Sequence, residues 1–451
     1  MTDYTSVLLP REKVLRDPVH NYIHIRCQII LDLIDTPEFQ RLRRIKQLGT
    51  SSFTFPGAEH TRFTHSLGVY EIARQICDNF VNNYLSHNHG QDGLWNDNER
   101  LVTLCAALLH DIGHGAYSHT FEYIFHTNHE KITQQLITDS NTNINKILRR
   151  VSDDFPQKVA NVINHTYPNK QVIQIISSQI DADRMDYLLR DAYYTGTNYG
   201  LFDLTRILRV MRPYSKGIAF DANGMHAVED YIISRFQMYQ QVYFHPVSRG
   251  MEEILRHLLA RANYLYHHHG FTQIQQPTLL IPFFKNNFTL QDYLKLDDDV
   301  LNSYFVLWQD HPDQLLSDLA KRFLNRKPLK SVRFTDKTKK LIPYLQSLVA
   351  QAGFDPQYYT AINDSYDLPY DTYSPNTKAQ IEIMLPDKAL EELSAVSKLV
   401  AAISDKKIGD QRFYFPKIML GRHLTPNDKL YPLTQTFKKY LLNDALIDPQ
   451  Y

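Results

Sequence analysis

The sequence predicts a mainly α protein with a smaller α+β region at its C-terminal end. Three observations carry that reading. Apolar residues recur at helical spacing through most of the stretch from 20 to 320. One run, LVTLCAALL at 101–109, is apolar nearly all round, the mark of a buried central helix. Strand-like runs appear only late, as IEIML at 381–385 and RFYFPKIML at 412–420.

Taken in order, Leu67, Tyr70, Ala73, Ile76, Phe80 and Tyr84 predict a helix over 66–85, with His65 at its start. The 101–109 helix runs into HDIGHG, where Gly113 and Gly115 supply a break. One helix is expected from about Val172 to Tyr194, ending at the TGTNYG turn. Another is expected from Val228 to Phe244, stopped by Pro246, and a third from Met251 to His267. Between the two late strands, Lys388 to Ser404 scans as helix. Residues 20–320 are expected to be all-helical, and 330–451 a small strand–helix–strand unit.

Composition narrows the function classes. With 43% hydrophobic and 22% charged residues the chain is globular, and 49 basic residues balance 49 acidic ones. A globally basic nucleic-acid binder is thereby disfavoured, so no nucleic-acid partner is expected. Cys27, Cys77 and Cys105 have neither metal nor redox spacing, which points to a reducing interior. The N-terminus meets charge and proline before any signal core, and no run approaches about 18 apolar residues. A cytoplasmic protein without a membrane partner is expected.

Nine of the 20 histidines fall between residues 60 and 129. His87 and His89 sit in polar loop sequence, and His267–His269 reads as a helix end. The informative pair is His110–Asp111. Adjacent helical residues diverge by roughly 100°, but at a helix terminus both can enter one cavity. Here a buried helix delivers them inward, and a buried polar pair is costly unless paired or metal-bound. His65, His110, Asp111 and Asp183 together offer two imidazoles and two carboxylates. That set suits one divalent ion (Mg, Mn, Fe, Ni or Zn) and leaves room for water and a phosphate oxygen.

The segments FPGAEHTRFTHSLGV, LLHDIGHGAYSH and IDADRMDYLLRDA, with DPVHNYIHI and IDTPEFQRLRRIKQLG, resemble the HD superfamily of metal-dependent phosphohydrolases. The similarity is nearest to its deoxynucleoside triphosphate triphosphohydrolases that carry SAM and HD domains; it runs from about Lys13 to His245, and a chain without the SAM domain is expected. The resemblance implies an HD helical-bundle core at 51–200 and a helical extension at 201–329 completing the site, while the strand–helix–strand character of 330–451 suggests an assembly or regulatory role. It assigns His114 to the α-phosphate and His119 to protonation of the departing 5′-oxygen, supported by Glu122 (the family has Asp) and His129. Arg62, Arg184 (a family Lys), Tyr187 and Arg235 would hold the triphosphate, since guanidinium groups fork onto phosphate oxygens. Asp191 with Gln47 would take the sugar 3′-hydroxyl, while Leu48 and Tyr243 would leave no room for a 2′-hydroxyl. The implied reaction converts dNTP to deoxynucleoside and inorganic triphosphate.

The resemblance also implies an effector site in the 1–50 segment, where Lys13, Val14, Asp35, Gln40 and Arg43 would read a guanine nucleotide at a subunit interface of a homotetramer. Arg16 stands where the family has Asn. A second effector site lacks its basic residues, with Asp221 and Asn223 in their place and Arg206 alone matching. Two readings compete: an HD phosphohydrolase of another specificity, such as a monophosphatase or phosphodiesterase, and a non-catalytic nucleotide sensor. Three arginines over-provide for one phosphate, and Asp111→Ala separates a sensor from an enzyme.

Overall fold

A computed structural model describes residues 8–364, 370, 380–404 and 410–449, without the His119 side chain. The described chain is mainly α. It opens, however, with a hairpin: β1 (Leu8–Asp17) pairs antiparallel with β2 (Asn21–Cys27). Ile23 and Ile25 are buried while Tyr22 and Arg26 are exposed, the two-residue period of a strand. Asn21 takes the left-handed conformation (φ 62°), and the Asp17 carboxylate accepts the Val19 and His20 N–H groups at 2.9 Å each. The all-helical expectation from residue 20 is corrected here and again at the β3 (Met211–Tyr214) and β4 (Gly217–Asp221) hairpin. Both are short strand pairs that a helix-length window averages away.

The helices follow as α1 (Gln28–Ile34), α2 (Pro37–Gln40), α3 (Arg62–Tyr84), α4 (Arg100–Leu109), α5 (His119–Phe125), α6 (His129–Thr138), α7 (Asn143–Leu148), α8 (Phe155–Ile163), α9 (Lys170–Ile176), α10 (Ala182–Thr195), α11 (Leu204–Val210), α12 (Met225–Met238) and α13 (Pro246–His267). Helix α4 is buried from Val102 to Leu109 because α3, α8 and α9 all pack around it. The single helix expected over 172–194 is two. Asp181 caps α10, accepting the N–H of Arg184 and of Ser178 at 2.7 Å each, and that local alternative ends α9 at Ile176. The same cap fixes Asp183 in the first turn of α10. Beyond Met238, α12 widens into a π turn over Tyr239–Tyr243.

In the late region, β5 (Lys330–Arg333), β6 (Ala361–Asn363) and β9 (Arg412–Phe415) belong to a five-stranded sheet with β10 (Leu441–Leu442) and β11 (Ala445–Leu446). By contrast β7 (Glu382–Met384) and β8 (Leu390–Glu392) extend the β3–β4 hairpin into a four-stranded sheet. The helix expected from 388 to 404 is β8 followed by two short helices, Leu393–Val396 and Lys398–Ile403. Glu392 and Ser397 each cap one, which breaks the run. The strand expected over 412–420 stops at Phe415, before Pro416. One large core runs from Ile23 to Tyr414, and a smaller one gathers Val332, Phe334, Leu345, Phe413, Phe415 and Phe437. Among the described residues no helix is long and apolar enough to cross a membrane.

Candidate metal centre and nucleotide cavity

Three helices bring the four metal-ligand candidates together. His65 lies in the first turn of α3, His110 and Asp111 follow the last turn of α4, and Asp183 lies in the first turn of α10. The Nε2 of His65 is 3.1 Å from Asp183 Oδ1 and 3.7 Å from Asp111 Oδ2. The Nε2 of His110 is 3.6 Å from Asp183 Oδ1 and 3.4 Å from Asp111 Oδ1. Both Nδ1 atoms are already committed, that of His65 to Asp186 at 2.8 Å and that of His110 to the Ala107 carbonyl at 2.9 Å. Each ring therefore turns an Nε2 lone pair into the cluster, and both Nε2 atoms are buried without a hydrogen-bond partner. His65, His110 and Asp183 can each offer a ligand atom within 4.8 Å of the others.

Electrostatics make the cluster a place for positive charge. Burial opposes ionisation of Asp111, yet His110 and Arg62 hold its pKa well below the usual carboxylate range. Burial likewise opposes ionisation of Asp183, and His110 and His65 hold it down. For His65 burial works against the proton, but Asp183 and Asp186 outweigh it and raise the pKa to about 10. Acids arranged in this way retain a cation, whether proton or metal ion. The residues present fit a divalent ion.

Behind His65 stands a buried network that the sequence reading missed. Asp186 accepts hydrogen bonds from His65, from His20 Nε2 at 2.6 Å and from Arg190 Nε at 2.8 Å, and Arg190 also binds Asp17 at 2.8 Å. Its signal was present: Asp186 follows Asp183 by three residues, on the same face of α10. Close approach of α3 to α10 requires Gly68, where a Cβ would lie 1.8 Å from Asp186 Oδ1.

The candidate ligand Asp183 opens onto a cavity of about 750 Å³, within the range of small-molecule sites. Its wall includes Gln47, Leu48, Arg62, Arg184, Tyr187, Asp191 and Tyr243, all singled out from the sequence. Arg62 binds Asp111 and donates to Ser118 Oγ at 3.0 Å, and Arg184 donates to the Ser178 carbonyl at 2.8 Å. Asp191 accepts from Tyr243 at 2.8 Å and from His60 at 2.7 Å, the latter another partner the sequence did not disclose. Arg235 is not brought to this wall. It is buried, with its guanidinium 5.5 Å from the centre of the Tyr239 ring.

Of the acid–base candidates, His114 is buried with its Nε2 3.4 Å from Asp111 Oδ1, and its ring stacks on His129 at 4.0 Å. Burial and the Arg62 charge hold its pKa well below that of an ordinary histidine, so it is neutral at pH 7. Glu122 accepts from His129 Nδ1 at 2.8 Å. His119 opens α5, and its side chain lies outside the described ones. The loop between α4 and α5 is held from a distance. Tyr117 and Ser118 take left-handed backbone angles (φ 53° and 51°), and the Tyr117 N–H donates to Asp298 at 2.7 Å. Arg41 donates to the His114 carbonyl at 2.9 Å.

The effector candidates form two groups. Lys13 and Val14 are exposed on β1. Arg43 donates to Gln40 at 2.8 Å and its guanidinium lies 3.5 Å from the centre of the Phe63 ring, while Asp35 ends α1.

An HD-domain model matches residues 62–191, spanning all four ligand candidates, and a model of the HD-associated region matches 202–277. The uncharacterized protein YwfO of Bacillus subtilis is 50% identical over 421 residues, 92% of this chain and 95% of its own. The chain belongs to the HD-domain family. Within the family it is related to the SAMHD1 proteins. That of Danio rerio, a deoxynucleoside triphosphate triphosphohydrolase, is 29% identical over 56% of this chain and 45% of its own length. The HD fold extends to solved structures. A phosphohydrolase of Bacteroides thetaiotaomicron superposes with a TM-score of 0.76 at 27% identity, covering 90% of this chain and all of that one. The chain is thus an HD phosphohydrolase whose cluster of His65, His110 and Asp183 is its candidate metal centre.

Proposed function

We propose that this HD protein is a deoxynucleoside triphosphate triphosphohydrolase, releasing deoxynucleoside and inorganic triphosphate. One observation carries the reading: the Asp183 carboxylate of the metal cluster shares a cavity with arginines that include Arg62 and Arg184, and with Tyr187, Asp191, Gln47 and Tyr243. Paired guanidinium groups match a polyphosphate better than a single phosphate. Asp191, oriented by Tyr243 and His60, keeps lone pairs for a sugar hydroxyl.

His65, His110, Asp111 and Asp183 would hold one divalent ion, which when bound supplies Lewis acidity toward the phosphoryl group and a nucleophilic water. The chain's own residues do the rest. Arg62 and Arg184 offset phosphate charge, and Arg62 also fixes Asp111. Neutral His114, stacked on His129, offers a hydrogen bond to the α-phosphate, and Glu122 keeps His129 in place. His119 is the proton donor to the leaving 5′-oxygen. Leu48 and Tyr243 close the space beside the sugar 2′-carbon, and Tyr187 and Arg235, the latter with its guanidinium 5.5 Å from the centre of the Tyr239 ring, complete the hold on the triphosphate. Lys13, Val14, Asp35, Gln40 and Arg43 form half of a guanine-nucleotide (GTP or dGTP) effector pocket completed by another subunit of a cytoplasmic homotetramer.

The test is product analysis. Purified protein is incubated with each dNTP and Mg²⁺ or Mn²⁺, with and without GTP or dGTP, and resolved by anion exchange; size-exclusion chromatography follows assembly. Deoxynucleoside with triphosphate is expected. Pyrophosphate with dNMP, or free phosphate, would move the reading to another HD specificity. Nucleotide binding without turnover under any metal would leave a sensor.

A further inference from the structure

The hairpin that opens the chain reaches the back of the metal cluster. Its turn, Asp17–Asn21, inserts His20 and Asp17 beneath α10, where both side chains are almost fully buried. His20 Nε2 donates to Asp186 Oδ1 at 2.6 Å, and the other oxygen of the same carboxylate accepts from His65 Nδ1 at 2.8 Å. Arg190 spans Asp186 and Asp17 with bonds of 2.8 Å to each, so the turn and the carboxylate move as a unit. Among the described residues, β1 pairs in a sheet with β2 alone.

We propose that the hairpin turn is a positioning element of the metal centre, with His20 acting through Asp186 to orient His65. Three facts support it. The carboxylate has no freedom of its own, since Gly68 leaves it just enough space against α3. His65 Nδ1 has Asp186 as its hydrogen-bond acceptor, so the direction of its Nε2 follows from where Asp186 is held. His20 ties Asp186 to the hairpin turn by a 2.6 Å bond, while Arg190 of α10 holds the same carboxylate at 2.8 Å. His20 and Asp186 are positioning residues, not ligands. By linkage the coupling runs both ways: metal bound at His65 tightens the hairpin, and a disturbed hairpin weakens the metal.

The inference rests on the metal-centre reading, and the experiment separates the two. Full-length protein is stripped with a chelator and titrated with Mn²⁺ by calorimetry, for wild type and for His20→Leu, His20→Gln and His20→Asn. A glutamine amide reaches the place of Nε2, whereas an asparagine amide falls short at the place of Nδ1. Loss of such an outer hydrogen bond lowers metal affinity roughly 10- to 100-fold. That loss is expected for Leu and Asn, with Gln near wild type. Hydrogen exchange of wild-type residues 13–25 is followed in parallel, and Mn²⁺ is expected to slow it. A wild type that takes up no metal overturns the metal centre itself. Wild-type uptake with equal affinity in all folded variants overturns the relay alone. If His20→Leu does not fold, the Gln–Asn comparison and the wild-type exchange decide: equal affinities or unchanged exchange overturn the proposal.

Discussion

Replacing Gly68 by alanine adds one methyl group at the most crowded point of the molecule. The new Cβ would lie 1.8 Å from Asp186 Oδ1, 2.5 Å from its Cγ and 2.4 Å from an Arg190 guanidinium nitrogen. Carbon–oxygen contacts close no nearer than about 3.3 Å, so the carboxylate must retreat by about 1.5 Å. Its bonds of 2.6–2.8 Å to His20, His65 and Arg190 cannot all survive that movement. Uncoupling a buried ion pair costs about 3–5 kcal/mol, and the helix-propensity gain of Gly→Ala returns only about 1 kcal/mol. A net loss of about 3 kcal/mol is expected. The two tryptophans make the assay regional. Trp95 packs against Phe80 of α3 at 5.7 Å, whereas Trp308 is buried with Phe305. Urea unfolding is followed by fluorescence in wild type, Gly68→Ala, and Gly68→Ala lacking Trp308 (Trp308→Phe, with its own control). Gly196→Ala is the comparison: its φ is +71° but nothing stands within 4 Å, so only backbone strain of about 1 kcal/mol is expected. A Gly68→Ala protein within about 0.5 kcal/mol of wild type would refute the packing argument.

Asp183→Asn retains shape but removes a charge from the cluster; dNTP hydrolysis is expected to fall at least about 100-fold, with circular dichroism unchanged. Tyr243→Ala removes the hydroxyl that holds Asp191 and opens the wall beside it, so ribonucleotide hydrolysis should rise relative to deoxyribonucleotide; an unchanged ratio of kcat/KM values contradicts the gate. Burial and the adjacent Arg256 lower the pKa of His257 to about 3. The unfolded chain takes up a proton near pH 6.5 and the folded one only near 3, so stability is lost as pH falls through that window. The loss is about 2 kcal/mol from pH 6.5 to 5, and urea midpoints of His257→Phe should show a correspondingly flatter slope. Chelation of bound metal should lower the thermal midpoint, since an ion at 100 times its Kd stabilises by about 2.7 kcal/mol.

The helical architecture was legible because its signals are local and long: the α3 stripe, the all-apolar α4 and the α13 run are each visible in a short window. What escaped was set by competition or by distance. The Asp181 cap split one expected helix into α9 and α10 through bonds that differ little in sequence from an ordinary helical turn. The β1–β2 hairpin was hidden because seven alternating residues do not outweigh the helical periodicity around them. At the site, the convergence of His65, His110, Asp111 and Asp183 could be expected from chemistry and context, since each residue type states what it can ligate. His20, His60 and Asp298 could not, because their roles exist only once α10 and a later helix, Asp298–Trp308, are packed against the α3–α4 layer. Arg235, a residue type suited to phosphate on the expected helix, has its guanidinium 5.5 Å from the centre of the Tyr239 ring, a placement that residue type alone does not give.

The bond between Tyr117 and Asp298 spans 181 residues. A ribosome adding roughly 5–20 residues per second needs roughly 10–40 s to cover that interval. During that time the segment carrying His114 has been made, but the carboxylate that holds its left-handed kink has not. The family-defining stretch 62–191 is therefore finished as sequence well before it can be finished as a catalytic surface. Activity should appear on nascent chains only after residue 298 has cleared the exit tunnel, which makes the enzyme's birth as a hydrolase a late event in its own synthesis.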